Sequence, residues 1–263
     1  MTNGPGGLPP QTALHTQRAT FSEAYAVIPR GVQRDIVASR LPHWRDARAW
    51  VLARPLSGFA ETFSWYLLEV GPGGGSDAPE PEAGAEGVLY VERGAGTLTL
   101  EGAAHPLEAG SYAFLPPGAA WTLEAADALL LHWVRKRWSD GGVGRPEAIV
   151  THARDGHAVA MPGTEAWSTT RFVDPDDLRH DMHVNIVSFQ PGGSIPFEET
   201  HVMEHGLYVL EGKAAYRLNR DWVEVERGDF LWLRAFCPQA CYAAGPGPFR
   251  YLLYKDVNRH MTL

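Results

Sequence analysis

The chain repeats itself once, at an offset near 118 residues, and that repeat limits the folds open to it more than any other feature. Leu89-Tyr90-Val91-Glu92-Arg93-Gly94-Ala95-Gly96 resembles Leu207-Tyr208-Val209-Leu210-Glu211-Gly212-Lys213-Ala214. Upstream, Val70-Gly71-Pro72-Gly73-Gly74-Gly75 resembles Phe189-Gln190-Pro191-Gly192-Gly193. Downstream, Leu107–Leu115 resembles Val225–Leu233. A period this long denotes a duplicated domain rather than a solenoid of short repeats, and 263 residues suffice for two such domains. The loop-rich run Ser139–Pro146 is the natural boundary. We therefore expect an N-terminal domain over 21–140 and a C-terminal domain over 147–263. Residues 1–20, polar and containing Gly and Pro, are expected to form a flexible N-terminal lead.

Each half is a series of short apolar or alternating runs separated by Gly, Pro, Asp or Asn. They are Trp65–Val70, Gly87–Val91, Gly96–Leu100, Val184–Phe189, Leu207–Leu210, Ala214–Leu218, Asp229–Leu233 and Phe249–Tyr254. Runs at this spacing predict an all-β barrel or sandwich. Short helices are expected only near Gly31–Leu41 and Pro175–Leu178. The net charge of −8 excludes nucleic acid as the main partner, which would need a basic patch. No apolar run reaches the ~18–20 residues that span a bilayer. The first 17 residues lack the apolar core of a secretory signal, so the reading is cytoplasmic. Cys237 and Cys241 read as ordinary buried thiols.

The segment Glu199-Thr200-His201-Val202-Met203-Glu204-His205 carries the chemistry. On an extended strand Glu199, His201 and His205 leave the same face, because the side-chain period is two. One carboxylate and two imidazoles on one face can hold a divalent metal. His201–His205 also fits the H-x-x-E-H motif of helical zinc peptidases. That motif needs a helix, and here Gly192, Gly193 and Pro196 precede it and Gly206 follows. A His- and Glu-rich surface loop is the bland reading, and it leaves the shared parity as coincidence.

The spacing from Gly193 through Glu199, His201 and His205 to Gly212 resembles the first motif of the cupins, with the ligand types permuted. Glu199 stands where that family usually has its first His, and His205 where it usually has Glu. In the region of the second motif, Gly228-Asp229 is followed by Pro238-Gln239, which makes Gln239 the fourth ligand. The implied fold is a bicupin, two tandem double-stranded β-helix (jelly-roll) barrels. In the N-terminal half the corresponding positions are Pro81, Ala83, Gly87 and Trp121, none of them a cation ligand. Glu80, Glu82 and Glu86 nearby read as solvated loop charges.

The permuted set, with Pro238-Gln239 and Tyr251–Arg259, is similar to the (S)-ureidoglycine aminohydrolases of purine and allantoin catabolism. That resemblance implies Mn(II) held by Glu199, His201, His205 and Gln239, with Fe(II) or Zn(II) possible on isolation. The donor types agree, since they form a hard-to-borderline N/O set without thiolate. It implies an anionic small-molecule substrate, ureidoglycine, converted to (S)-ureidoglycolate and ammonia. Glu199 is the expected proton carrier and Lys255 the partner of the substrate carboxylate. Glu199 and Gln239 would themselves touch the substrate. Tyr251, which shares strand parity with Lys255, and Tyr216 are the remaining substrate-binding candidates. Cupins often assemble through exposed sheet surfaces, so a homo-oligomer is expected. The competing functions are another metal-dependent bicupin enzyme, an oxygenase or decarboxylase, and a non-catalytic ligand-binding bicupin.

Overall fold

β1 (Thr20–Phe21) and β2 (Tyr25–Ile28) open a computed structural model that describes residues 18–33, 41–55, 60–161 and 164–256. A 3-10 turn at Arg30–Val32 follows. The first barrel is built from β3 (Trp44–Ala53), β4 (Phe63–Ser76), β5 (Ala85–Arg93), β6 (Gly96–Leu100), β7 (Ala103–Leu107), β8 (Ser111–Leu115), β9 (Trp121–Ala125) and β10 (Leu129–Arg137). Three short strands follow: β11 (Ile149–His152), β12 (His157–Ala160) and β13 (Trp167–Arg171). The second barrel contains β14 (Met182–Phe189), β15 (Ser194–Glu199), β16 (His205–Glu211), β17 (Lys213–Leu218), β18 (Asp221–Glu226), β19 (Phe230–Leu233), β20 (Gln239–Ala243) and β21 (Phe249–Asp256). Every apolar run singled out above lies on one of these strands, with Asp229 alone falling just before β19, and the all-β reading holds.

The repeat is visible in backbone geometry. Gly94 (φ 88°) and Gly212 (φ 80°) make the same left-handed turn after β5 and β16. A Cβ at Gly94 would stand 2.3 Å from the Ala128 carbonyl oxygen, and one at Gly212 2.2 Å from that of Pro248. Only glycine fits a positive φ this close to a neighbouring backbone.

Three apolar cores stack in order. Leu68, Leu89, Val91, Leu98, Trp121 and Trp133 fill the first barrel. Val187, Leu207, Val209, Tyr216, Leu231 and Tyr251 fill the second. Between them, Phe63, Trp65, Tyr90 and Val134 from one half meet Ile186, Tyr208, Phe230, Trp232, Leu252 and Tyr254 from the other. Strand alternation explains the arrangement. On β16, Leu207 and Val209 enter the second barrel while Tyr208 enters the seam. Both faces are covered, so β16 reads as an unbroken apolar run rather than an alternating one. Gly206 allows the closest approach, since a Cβ there would lie 2.7 Å from the Phe63 ring and 3.2 Å from Trp65.

The two halves exchange strands across the expected boundary. β2 pairs with β19 in the sheet of the second barrel, and β11 pairs with β8 in the sheet of the first. A division at 140 and 147 therefore does not separate the sheets. The lead over 1–20 lies mostly outside the described residues, but its end is tied down. Arg18 binds the buried Asp229 and also Glu226, and Thr20 pairs with Val27. Of the helix expected near Gly31–Leu41, residues 34–40 lie outside the described residues and Arg30–Val32 is a single 3-10 turn. Pro175–Leu178 is a pair of turns, closed by Asp174 and Asp177 side chains accepting from backbone N–H groups two residues on. Two acids capping their own backbone compete with helix there.

Candidate active site

Glu199 is the last residue of β15, an edge strand whose ladder with β20 is irregular between Ile195 and Glu199. Pro196, with no N–H to donate, suits that break. Across the ladder Glu199 is paired with Gln239. Thr200–Glu204 then leaves the four-stranded sheet, and His205 opens β16 in the eight-stranded sheet. The expected single strand through Glu199, His201 and His205 is therefore absent. The three side chains converge because a loop passes from one wall of the barrel to the other, not because they share strand parity. No helix forms in this segment, which removes the peptidase reading. The Phe236 N–H holds the loop by donating to the His201 carbonyl at 2.6 Å.

Glu199, His201, His205, Gln239, Tyr251 and Lys255 all line one cavity of about 150 Å³. His201 Nε2 lies 3.3 Å from Glu199 Oε1, Gln239 Nε2 lies 3.5 Å from the same oxygen, and the two imidazole centroids are 5.0 Å apart. Donors about 2.0–2.2 Å from a shared cation stand roughly 3 Å from one another, so the Glu199–His201 contact suits neighbouring ligands. Among the described residues, no group of three His, Cys, Asp or Glu side chains is drawn together into a finished metal site. The donor chemistry still fits a hard-to-borderline divalent cation, with two imidazoles, a carboxylate and an amide around one cavity. Burial, then His201 and Lys255, lower the His205 pKa to about 3, leaving the neutral imidazole a metal requires.

Lys255 lies across from His205 on one neighbouring strand and from His183 on the other. Burial and then Arg171 pull its pKa down from the usual lysine range. His183 is buried as well and is not among the residues lining the cavity; burial and then Lys255 lower its pKa to about 4. Tyr251 lines the cavity, as its parity with Lys255 predicts, whereas Tyr216 does not. The Tyr216 hydroxyl donates to that of Tyr251 at 3.2 Å from behind. Burial drives both phenols well above their usual range, so they act as neutral hydroxyls.

Sequence reasoning missed Arg171 and Asn185, which also line the cavity. Arg171 ends β13, far outside the ligand segment, and only tertiary pairing of β13 with β14 brings it in. It also missed the role of Glu204, between the two histidines. Glu204 is 6% exposed and is not among the residues lining the cavity. Its carboxylate accepts from the backbone N–H groups of Glu61 (2.8 Å) and Thr62 (2.9 Å), from the Thr62 hydroxyl and from Trp232 Nε1. The loop that carries His201 and leads to His205 is thus clamped to the first barrel. That barrel has no ligands at its own corresponding site, and two of its three nearby acids are not solvated. Glu86 is buried at 0% exposure, and Glu80 pairs with Arg135.

Two cupin models match this chain: the EutQ-like cupin domain over 57–138 and the Cupin domain over 185–254. The protein is a bicupin. It is 32% identical over 232 residues to the (S)-ureidoglycine aminohydrolase of Escherichia coli K12, covering 87% of each chain. It is 33% identical to that of Arabidopsis thaliana, covering 92% of this chain and 79% of the relative. A Pseudomonas aeruginosa structure, provisionally described as a glyoxylate-induced protein, superposes with TM-score 0.88 at 64% identity over 94% of both chains. The chain belongs to the (S)-ureidoglycine aminohydrolase family.

Proposed function

We propose that this protein releases ammonia from ureidoglycine, forming (S)-ureidoglycolate, at the cavity of the second barrel. The observation that carries this reading is the pairing of the donor set with two cations, Lys255 and Arg171, in one small cavity. Family membership names the reaction. The cation pair accounts for a substrate that carries a carboxylate, which a binding site lined by acids would reject. Glu199, His201, His205 and Gln239 would hold Mn(II), and the metal would supply Lewis-acid polarisation and orientation of the bound substrate.

The chain's own residues do the rest. Lys255 and Arg171 bind the carboxylate and fix the reacting carbon. Tyr251, held by Tyr216, forms a neutral polar wall. Glu199 carries a proton from water to the departing amine, so that hydroxyl bonds to the carbon, the C–N bond breaks and ammonia leaves. The cytoplasm, a role in purine catabolism and a homo-oligomeric state belong to the same proposal. Among the described residues no helix is long and apolar enough to cross a membrane. Val202 and Phe236, exposed beside the ligand loop, offer apolar surface to another subunit.

The test is ammonia release from freshly prepared ureidoglycine with and without Mn(II). Release above the uncatalysed rate, dependent on metal, is expected. No release with metal bound refutes the proposal, and oxygen uptake on a candidate substrate would favour the oxygenase reading instead.

A further inference from the structure

Arg171 and Lys255 both line the cavity of the second barrel, and neither has a carboxylate of a described residue within 4.0 Å. They stand close enough that Arg171 is, after burial, the next cause of the lowered Lys255 pKa. Two like charges held in a small cavity without a counter-ion repel each other, and an anion entering between them relieves that repulsion. The register puts a third donor between them. Thr170 pairs with Ile186, so Arg171 comes abreast of Asn185 on β14. Asn185 pairs with Leu253, which lies two residues before Lys255 on the same face of β21. Asn185 is 3% exposed and lines the cavity. Of its two amide atoms only Oδ1 is sealed off without a partner, which leaves the amide N–H groups as the end presented to the cavity. A guanidinium, an amide N–H and an ammonium on three successive strands make a surface of donors fitted to a carboxylate.

The candidate metal ligands lie beyond Lys255, because His205 on β16 is its partner on the other side. β21 separates β14 from β16. At the usual strand spacing, with the two-residue offset along the strand, Asn185 and His205 stand about 10–12 Å apart. A metal–oxygen bond takes about 2 Å of that and a charge-assisted hydrogen bond about 3 Å. The remaining gap of about 5–7 Å matches a molecule with a carboxylate at each end and one or two carbons between. The charge balance agrees. Glu199 is the single carboxylate among the lining residues, so a divalent cation with Arg171 and Lys255 leaves the loaded cavity three charges positive. One ligand carboxylate neutralises one of these, and a dicarboxylate neutralises two. We propose that Arg171, Asn185 and Lys255 form a carboxylate cradle, and that the metal-loaded cavity takes small dicarboxylates in preference to monocarboxylates. One carboxylate sits in the cradle and the other faces Glu199, His201, His205 and Gln239. This deepens the reading of the cavity given above and rests on it for the place of the metal. Such an acid competes with ureidoglycine for the site.

The experiment titrates the full chain, loaded with Mn(II), with malonate and with acetate in a calorimeter. Malonate is expected to bind at least tenfold more tightly than acetate. Arg171→Gln removes a charge and Asn185→Leu removes the amide at similar volume; each should weaken malonate about tenfold, the worth of one hydrogen bond to a charged group. Mn(II) affinity, titrated separately, should stay the same in both variants, which a merely structural role would not predict. No malonate binding, acetate binding as tight as malonate, or unchanged malonate affinity in either variant overturns the proposal. If Asn185→Leu does not fold, Asn185→Asp, which sets a carboxylate against the ligand, must weaken malonate more than Arg171→Gln does, and a smaller effect overturns the cradle. Neither titration uses ureidoglycine. Malonate binding without ammonia release would leave the cradle standing and refute the reaction, and ammonia release without malonate binding would do the reverse.

Discussion

Glu204→Gln tests whether the first barrel positions the ligand loop of the second. Glu204 Oε1 accepts from Glu61 N–H and Trp232 Nε1, and Oε2 accepts from the Thr62 N–H and hydroxyl. A glutamine keeps one oxygen and presents two donors at the other position. With its oxygen at the Oε1 site it retains Glu61 and Trp232, and the Thr62 hydroxyl can turn to accept. The Thr62 backbone N–H, which cannot turn, then faces another donor. In the flipped orientation two fixed donors, Glu61 N–H and Trp232 Nε1, lose their acceptor, so the first orientation wins. The loss is one hydrogen bond to a charged group plus one buried unpaired N–H, about 2–4 kcal/mol. For a chain of this size that lowers Tm by roughly 5–15 °C. Because Glu204 sits between His201 and His205, Mn(II) affinity should fall about 10–100-fold, as it does when groups supporting a ligand are removed. Thermal unfolding of the apoprotein and a Mn(II) titration measure the two effects separately. Unchanged Tm and unchanged Mn(II) affinity would refute the clamp.

Lys255→Ala and Arg171→Ala should each raise KM for ureidoglycine at least tenfold, with a smaller effect on kcat; unchanged steady-state constants in both would remove the carboxylate-binding role. Gly206→Ala should cost about 1–3 kcal/mol in urea denaturation, because its methyl meets Phe63 and Trp65 across the seam. Glu92 gives a pH signature. Burial works to raise its pKa, but His132 and Arg227 outweigh it and hold the value down to about 2. A carboxylate depressed on folding stabilises above its unfolded pKa, near 4.5, and loses that contribution as pH falls toward 2. The stability gap between wild type and Glu92→Gln should therefore be flat above about pH 5 and close below it. A gap that widens on acidification would contradict the assignment.

The duplication, the strand content and the convergence of Glu199, His201, His205, Gln239, Tyr251 and Lys255 could all be read from the residues. Strand periodicity and motif spacing are local, and they survive without coordinates. What could not be read is what depends on pairing between distant segments. Arg171 reaches the cavity through β13, and Glu204 is held outside it by donors more than 140 residues upstream. Glu86 and Glu80 read as solvated because Glu is usually exposed, and only the fold shows one buried and the other paired with Arg135. The parity argument brought Glu199, His201 and His205 together for the wrong reason, since a loop between two sheets does what an extended strand was expected to do. Tyr216 read as a pocket residue, and its place behind Tyr251 follows from the pairing of β17 with β20, which no local pattern encodes.

The exchanged strands have a consequence for synthesis. β2 is synthesised before the whole of the first barrel, yet its partner β19 is made some 200 residues later. Until then Tyr25, Ala26 and Val27, all buried in the finished fold, have only the two-residue β1 to pair with. Loop closure over that span adds only a few kcal/mol, because its cost grows logarithmically with length, but the pairing is highly non-local. β11, by contrast, finds β8 already made. The first barrel can therefore complete its sheet during translation, while the second must wait to recruit a strand made before the first barrel. A nascent chain stopped short of Phe230 would carry β2 as an apolar edge without its β19 partner.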